Sequence, residues 1–309
     1  MSDTPLIEVD DLNVSFPGRG GVTHAVRNAT FTLGRERLGI VGESGSGKST
    51  TGRALLGLIP RPGIVTAKRM TFGAENLLNY RDVDWQRLRG RRMSMVMQDP
   101  KYSLNPVMKV GHQIGETYRL HTRASASDAR ARAIAMLEAV QIRDPDLVYH
   151  FYPHQLSGGM GQRVMIAMML VAEPDLLIAD EPTSALDVTV QNEVLRILDD
   201  LVRDRGMGLI FISHNLTVVS SFCDRVLVMY GGKIVEECKA SELHAANRGF
   251  RLRQLPSSGQ ELQVGFEECP SHNQHLKKVD LTDLMRLFGK IQVFIGFREK
   301  LVSVFVHRH

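Results

Sequence analysis

GESGSGKS, residues 42–49, decides how this chain is read. It fits the pattern G-x-x-x-x-G-K-[ST] at every fixed position, and Thr50 follows it. RLGIV at 37–41 leads into it as a short apolar run of buried-strand length, and a helical stretch comes after. Gly42, Gly45 and Gly47 let the backbone curl until its N–H groups point inward at an anion. The N-terminus of the next helix faces the same charge. Lys48 can reach the outer phosphates of a nucleoside triphosphate, and Ser49 offers a hydroxyl to Mg²⁺. Glu43, Ser44, Ser46 and Thr50 complete the candidate loop. A merely flexible Gly/Ser turn has no need of a strand before it and a helix after it.

Working outward, LLIAD at 176–180 and GLIFIS at 208–213 are further runs of buried-strand length. Between them, 188–203 has helical spacing through Val190, Val194, Ile197, Leu198 and Leu201. Strand, helix, strand implies a parallel sheet. Residues 6–16 and 25–33 read as N-terminal strands, and RVLVMY-GG-KIVEE as a hairpin turning at Gly231–Gly232. The middle, about 108–172, shows helices and no convincing strand. Ala133, Ile134, Leu137 and Val140 share one face. A second helix starts near Ser157, carries Met160, Val164, Ala167, Met168 and Val171 on one side, and stops before Pro174.

A phosphate loop needs a second acid for its metal. Asp180 ends an apolar run, which brings its carboxylate to the carboxyl edge of the sheet, where ligands bind in open α/β folds. Glu181, next in the chain, is placed to orient or deprotonate a water. LSGGM at 156–160 sets a hydroxyl and two glycines (Ser157, Gly158, Gly159) at a helix start, which fits a second anion site or an ordinary Ser-capped helix equally well. His214 closes GLIFIS, and a lone His there is more often simply hydrogen-bonded.

Bulk properties exclude several classes. The 309 residues are 43% apolar and 23% charged, enough for a sizeable core. Net charge is +4, with Lys and Arg scattered and no basic block of the kind that advertises nucleic acid. Cys223, Cys238 and Cys269 form neither a CxxC pair nor an even disulfide set, which fits reduced thiols in the cytosol. The N-terminus lacks the basic and apolar regions of a signal peptide. No apolar run approaches the ~18 residues that cross a bilayer. A membrane role is therefore expected to be peripheral.

Taken in order, these residues resemble the ATP-binding subunits of ABC transporters, from about residue 6 to about 244. GESGSGKS looks like Walker A, LSGGM like the ABC signature and LLIADE like Walker B. SALD at 184–187 looks like the D-loop and His214 like the switch histidine. Gln98 in MVMQDP resembles the Q-loop glutamine, and Phe16 holds the place of the aromatic that stacks on adenine. QDPKYSLNP (98–106) and ADEPTSALDVTVQ (179–191) narrow the likeness to importer ATPases for dipeptides, oligopeptides and nickel.

The resemblance implies a RecA-like P-loop core with an N-terminal antiparallel β portion and a helical subdomain at about 90–172, all within 1–247. It implies ATP and Mg²⁺ as cofactors, with Ser49, Gln98 and Asp180 organising the metal, Glu181 acting on water and His214 contacting the γ-phosphate. It further implies a second ATPase subunit, identical or different, whose signature faces this chain's phosphate loop. Two transmembrane permease subunits, an extracellular or periplasmic solute-binding protein and a place on the cytoplasmic face of the inner membrane complete the expectation. The other readings are a nickel importer, a soluble ABC-type ATPase on nucleic acid, and a regulator with a degenerate site. The intact Lys48, Asp180 and Glu181 oppose the last, and the lack of a long coiled-coil insert or a second cassette opposes the nucleic-acid ATPase. After about 247 the likeness ends. Only Cys269 lies there, so the four-cysteine iron–sulfur cluster of many subfamily members cannot form in residues 248–309. Leu281, Leu284, Met285, Phe288 and Ile295 would share a face if 281–295 is helical.

Overall fold

A computed structural model describes residues 5–18, 20–97, 103–184 and 186–243. The expected boundary at 247 and the extension 248–309 lie outside the described residues, as does Cys269.

Two sheets carry the fold. The first holds β1 (Ile7–Gly18) between β2 (Gly21–Leu33) and β5 (Arg69–Phe72), with β4 (Ile64–Thr66) also on β1 and β6 (Glu75–Asn76) on β5. All its pairings are antiparallel. The second has the order β11 (Lys233–Lys239), β10 (Arg225–Tyr230), β3 (Arg37–Gly42), β9 (Gly208–Ser213), β8 (Leu176–Asp180), β7 (Met93–Val96). It is parallel except for the β10–β11 hairpin.

Side-chain parity in the parallel sheet sorts residues into two cores. Leu177, Ala179, Leu209 and Phe211 face a core shared with the helices that follow, whereas Leu176, Ile178, Ile210 and Ile212 face one shared with β1, β2 and α1 (Lys48–Leu55). Both faces are covered, which is why these strands read as unbroken apolar runs instead of alternating ones. Full burial of each leucine, isoleucine or phenylalanine among them is worth roughly 1.5–3 kcal/mol. The same period of two continues past Ile178 to Asp180 and turns its carboxylate toward α1.

α2 (Asp82–Leu88) precedes β7, and the middle of the chain is helical: α3 (Val110–Thr122), α4 (Ala126–Ala139), α5 (Pro145–Val148) and α6 (Gly158–Leu170). The sheet corrects the expected start of this segment near 90. Met93–Val96 is an edge strand paired in parallel with Leu176–Ala179, so the helical segment begins after it. Its residues also alternate, Met93 and Met95 toward one core and Val96 toward the other. A second correction concerns α6. Its buried residues include Met165, Ile166 and Leu170 besides Val164, Ala167 and Met168, so it is enclosed nearly all round rather than on one side. α7 (Val188–Arg205) buries Val194, Ile197, Leu198 and Leu201 as its spacing requires, and α8 (Leu216–Phe222) follows β9. Among the described residues no helix is long and apolar enough to cross a membrane.

Candidate functional site

The loop 42–47 is closed from behind by two other parts of the fold. Ser46 N–H donates to the Glu43 carbonyl at 3.2 Å, and Gly232 N–H donates to the Ser46 carbonyl at 3.1 Å. Arg27 N–H donates to the Gly232 carbonyl at 2.7 Å, tying the β10–β11 turn to β2. Gly47 has φ +101°, and a Cβ there would stand 2.4 Å from the Ala25 carbonyl oxygen. Gly45, at φ +81°, has open space on its outer side. Both positions need glycine, one for close approach and both for conformation. Glu43, Ser44 and Gly45 are exposed, and Thr50 is half-buried at the start of α1.

Lys48 is 5% exposed, and its Nζ donates to the carbonyls of Gly42 and Glu43, each at 2.8 Å. Burial pulls its pKa down, and the carboxylates of Glu181, Asp180 and Glu43 pull it back up. Ser49 Oγ donates to Asp180 Oδ1 at 2.7 Å. Burial pushes the Asp180 pKa up, opposed by that hydrogen bond and by Arg53 and Lys48. Among the described residues Ser46 Oγ is buried with no hydrogen-bond partner. α1 begins with Gly47 as its N-cap and has neither a side-chain cap nor an acid in its first turn. Helix-end donors without a capping carboxylate, a desolvated ammonium and a hydroxyl–carboxylate pair together suit a phosphate chain with a hard cation.

Glu181 follows Asp180 with φ +48°, a conformation uncommon outside glycine, while its N–H still donates to the Ile212 carbonyl at 2.9 Å. The chain therefore turns sharply at the strand end, and Glu181 Oε1 comes within 3.1 Å of His214 Nδ1. The His214 side chain is 61% exposed and that of Glu181 19%. Backbone strain of this kind costs on the order of 1–3 kcal/mol and gathers at functional sites. Nothing in the sequence marked Glu181 for a left-handed backbone. The bracing by Gly231–Gly232 was also missed, although a Gly-Gly turn was its visible trace.

The structure thus assembles Gly42, Glu43, Lys48, Ser49, Asp180, Glu181 and His214. Phe16, half-buried on β1 opposite Thr23, lies two residues along the pairing from Ala25, the residue whose carbonyl abuts Gly47. Gln98 lies outside the described residues. Among the described residues no hydrogen bond joins Ser157, Gly158 or Gly159 to the loop 42–47. Ser157 Oγ instead accepts the Met160 N–H at 3.3 Å and caps α6. A Cβ on Gly159 would stand 2.6 Å from Val190 Cγ1, whereas one on Gly158 would meet nothing within 4 Å. Asp187, in the SALD stretch, caps α7 by accepting the Thr189 and Val190 N–H groups.

The parallel sheet, the loop between β3 and α1 and the acidic end of β8 define an ATP-hydrolysing P-loop cassette. The chain belongs to the ABC transporter family: the family model "ABC transporter" matches residues 26–184. It is 46% identical over 242 residues to a probable peptide ABC transporter ATP-binding protein of Sinorhizobium fredii, covering 78% of this chain and 72% of that protein. It is 45% identical over 276 residues to the oligopeptide transport ATP-binding protein OppD of Bacillus subtilis, covering 86% and 77%. Among solved structures, the dimeric bacterial ABC transporter cassette MJ0796 superposes with a TM-score of 0.69 at 24% identity, over 76% of this chain and 98% of that one.

Proposed function

We propose that this chain is the ATP-hydrolysing subunit of a peptide importer. The observation that carries the motor assignment is the Ser49–Asp180 hydrogen bond of 2.7 Å beside the buried Lys48, with the Glu181–His214 pair at the adjoining strand ends. Its likeness at about 45% identity to proteins described as peptide and oligopeptide transport subunits supports the cargo class.

In this reading Gly42 to Thr50 and Lys48 hold the phosphates and Phe16 stacks on the base. Ser49 and Asp180, with Gln98, hold Mg²⁺, which supplies charge neutralisation on the phosphate oxygens. Glu181 takes the proton from the attacking water. His214, with Nδ1 3.1 Å from Oε1, fixes that carboxylate's direction. Ser157, Gly158 and Gly159 serve the nucleotide bound to a second ATPase subunit, alike or different. The pair acts on two permease subunits fed by a solute-binding protein, and the chain sits on the cytoplasmic face of the inner membrane through the permease alone.

The test is uptake of labelled di- and oligopeptides in cells carrying wild-type protein or Glu181→Gln. Peptide uptake lost in the variant supports the reading; unchanged peptide uptake with lost nickel uptake overturns the cargo. Removal of the permease should shift the protein to the soluble fraction, and retention on membranes contradicts the peripheral placement.

A further inference from the structure

A turn at residues 59–63 stands against Phe16. It follows the end of α1 and leads into β4, which pairs antiparallel with β1 through Asn13 with Thr66, Val14 with Val65 and Ser15 with Ile64. One step further along that register, Gly63 comes abreast of Phe16. On its other side Phe16 pairs with Thr23 of β2. Phe16, Ile59 and Val65 are partly buried and pack against the same core, whereas Pro60, Arg61 and Pro62 are exposed.

The space beside Gly63 is already filled. A Cβ there would stand 2.7 Å from Phe16 Cε1, 2.5 Å from Ile59 Cγ2 and 2.8 Å from the Pro60 carbonyl oxygen. The two carbon contacts fall well short of the ~3.5–4.0 Å at which carbon atoms rest. Gly63 does not hold a left-handed backbone, unlike Gly42, Gly45 and Gly47, so it is glycine for room and not for conformation. Its N–H donates to the Pro60 carbonyl at 2.8 Å, which closes the turn and limits how far the backbone can retreat. The ring edge at Cε1 therefore occupies the place that a side chain at 63 would take.

We infer that Gly63 is a positioning residue for the nucleotide base: the turn 59–63 sets the direction of the Phe16 ring, an inference that rests on the proposed stacking of Phe16 on adenine. A ring stacks on a base only when it presents its face, and its side-chain dihedrals decide that. An edge held against the turn keeps the ring set before ATP arrives, so less side-chain freedom is lost on binding. The turn reaches the ring from the far end of α1, whose start carries Lys48 and Ser49. β2 reaches it from Ala25, whose carbonyl abuts Gly47. The base and the triphosphate are thus held on one backbone frame.

The experiment compares Mg-ATP with Mg-tripolyphosphate, which has the phosphates and no base, by calorimetric titration of the full chain. Phe16→Ala should weaken ATP binding by about tenfold or more and leave tripolyphosphate unchanged. Gly63→Ala, which sets a methyl group against Cε1, should weaken ATP by about fivefold or more and also leave tripolyphosphate unchanged. In the Phe16→Ala background the same alanine should cost no further ATP affinity, because the ring it displaces is gone. Ile59→Ala, which loosens the turn without adding bulk, should weaken ATP by about threefold and covers the case in which Gly63→Ala misfolds. If Phe16→Ala does not weaken ATP, the stacking reading fails and the inference with it. If Phe16→Ala weakens ATP while neither Gly63→Ala nor Ile59→Ala does, or if ATP and tripolyphosphate weaken alike in those two variants, the inference alone is overturned.

Discussion

Two loops of this chain, 42–49 and 156–160, look alike as glycine-rich helix starts, yet they differ in what surrounds them. The phosphate loop is braced by β2 and the Gly231–Gly232 turn, and its Lys48 and Ser49 are held by hydrogen bonds. The signature loop uses its one hydroxyl to cap its own helix and leaves Gly158 facing open space. The first is a site built within one chain. In the proposed reading the second is half a site, and its opposing surface comes from another subunit. Similar local sequence therefore gives different chemistry, because packing decides which donors are already committed.

The largest effect should come from Glu181→Gln, which keeps the side chain's shape and removes the proton acceptor. ATP hydrolysis should slow by roughly 10²–10⁴ while ATP still binds, as read by single-turnover kinetics and equilibrium binding. A wild-type rate would move the base elsewhere. Next comes a direct contrast of the two loops. Gly47→Ala sets a Cβ against the Ala25 carbonyl in a left-handed conformation, with strain on the order of 1–3 kcal/mol. ATP affinity of the isolated chain should drop by about tenfold or more. Gly158→Ala meets nothing, so that affinity should hold while steady-state hydrolysis falls. Equal losses of affinity in both variants would erase the distinction between the loops.

Ser157→Ala removes the α6 cap at a cost of about 1 kcal/mol, so thermal unfolding should show a Tm lower by about 2–4 °C. The smallest effect has the opposite sign. The Asp180 pKa is raised by burial, so the folded protein binds that proton more tightly than the unfolded chain does. The ionised carboxylate therefore weakens the fold, a deficit relieved as pH falls through its folded pKa. Asp180→Asn keeps an acceptor for Ser49 and should raise Tm slightly at neutral pH, while hydrolysis is lost. A lower Tm would show that the charge is compensated.

The contrast between the loops was only partly visible in the sequence. Apolar runs ending in Gly42, Asp180 and Ser213 marked the three central strands, and the spacing after Asp187 marked α7. Met93–Val96 was missed because Ser94 and the preceding arginines break its apolar run, although Ser94 is itself buried. α6 was read as one-sided because its small and sulfur-bearing residues blur the helical period. For the site, residue identities singled out Lys48, Ser49, Asp180 and Glu181, which the fold brings near one another. The left-handed turn at Glu181 and the bracing of Ser46 by Gly232 arise from tertiary contacts, which no local pattern encodes.

The central claim, that residues 156–160 complete a nucleotide site in another subunit, is tested most directly by sedimentation of Glu181→Gln with and without ATP. Trapped ATP should bridge the phosphate loop of one subunit and Ser157 of the other. The variant should therefore sediment as a dimer only when ATP is present, alone or with its paired ATPase. Lys48→Ala should remain monomeric under the same conditions. If Glu181→Gln binds ATP and stays monomeric even with the paired ATPase added, the half-site account fails for this chain.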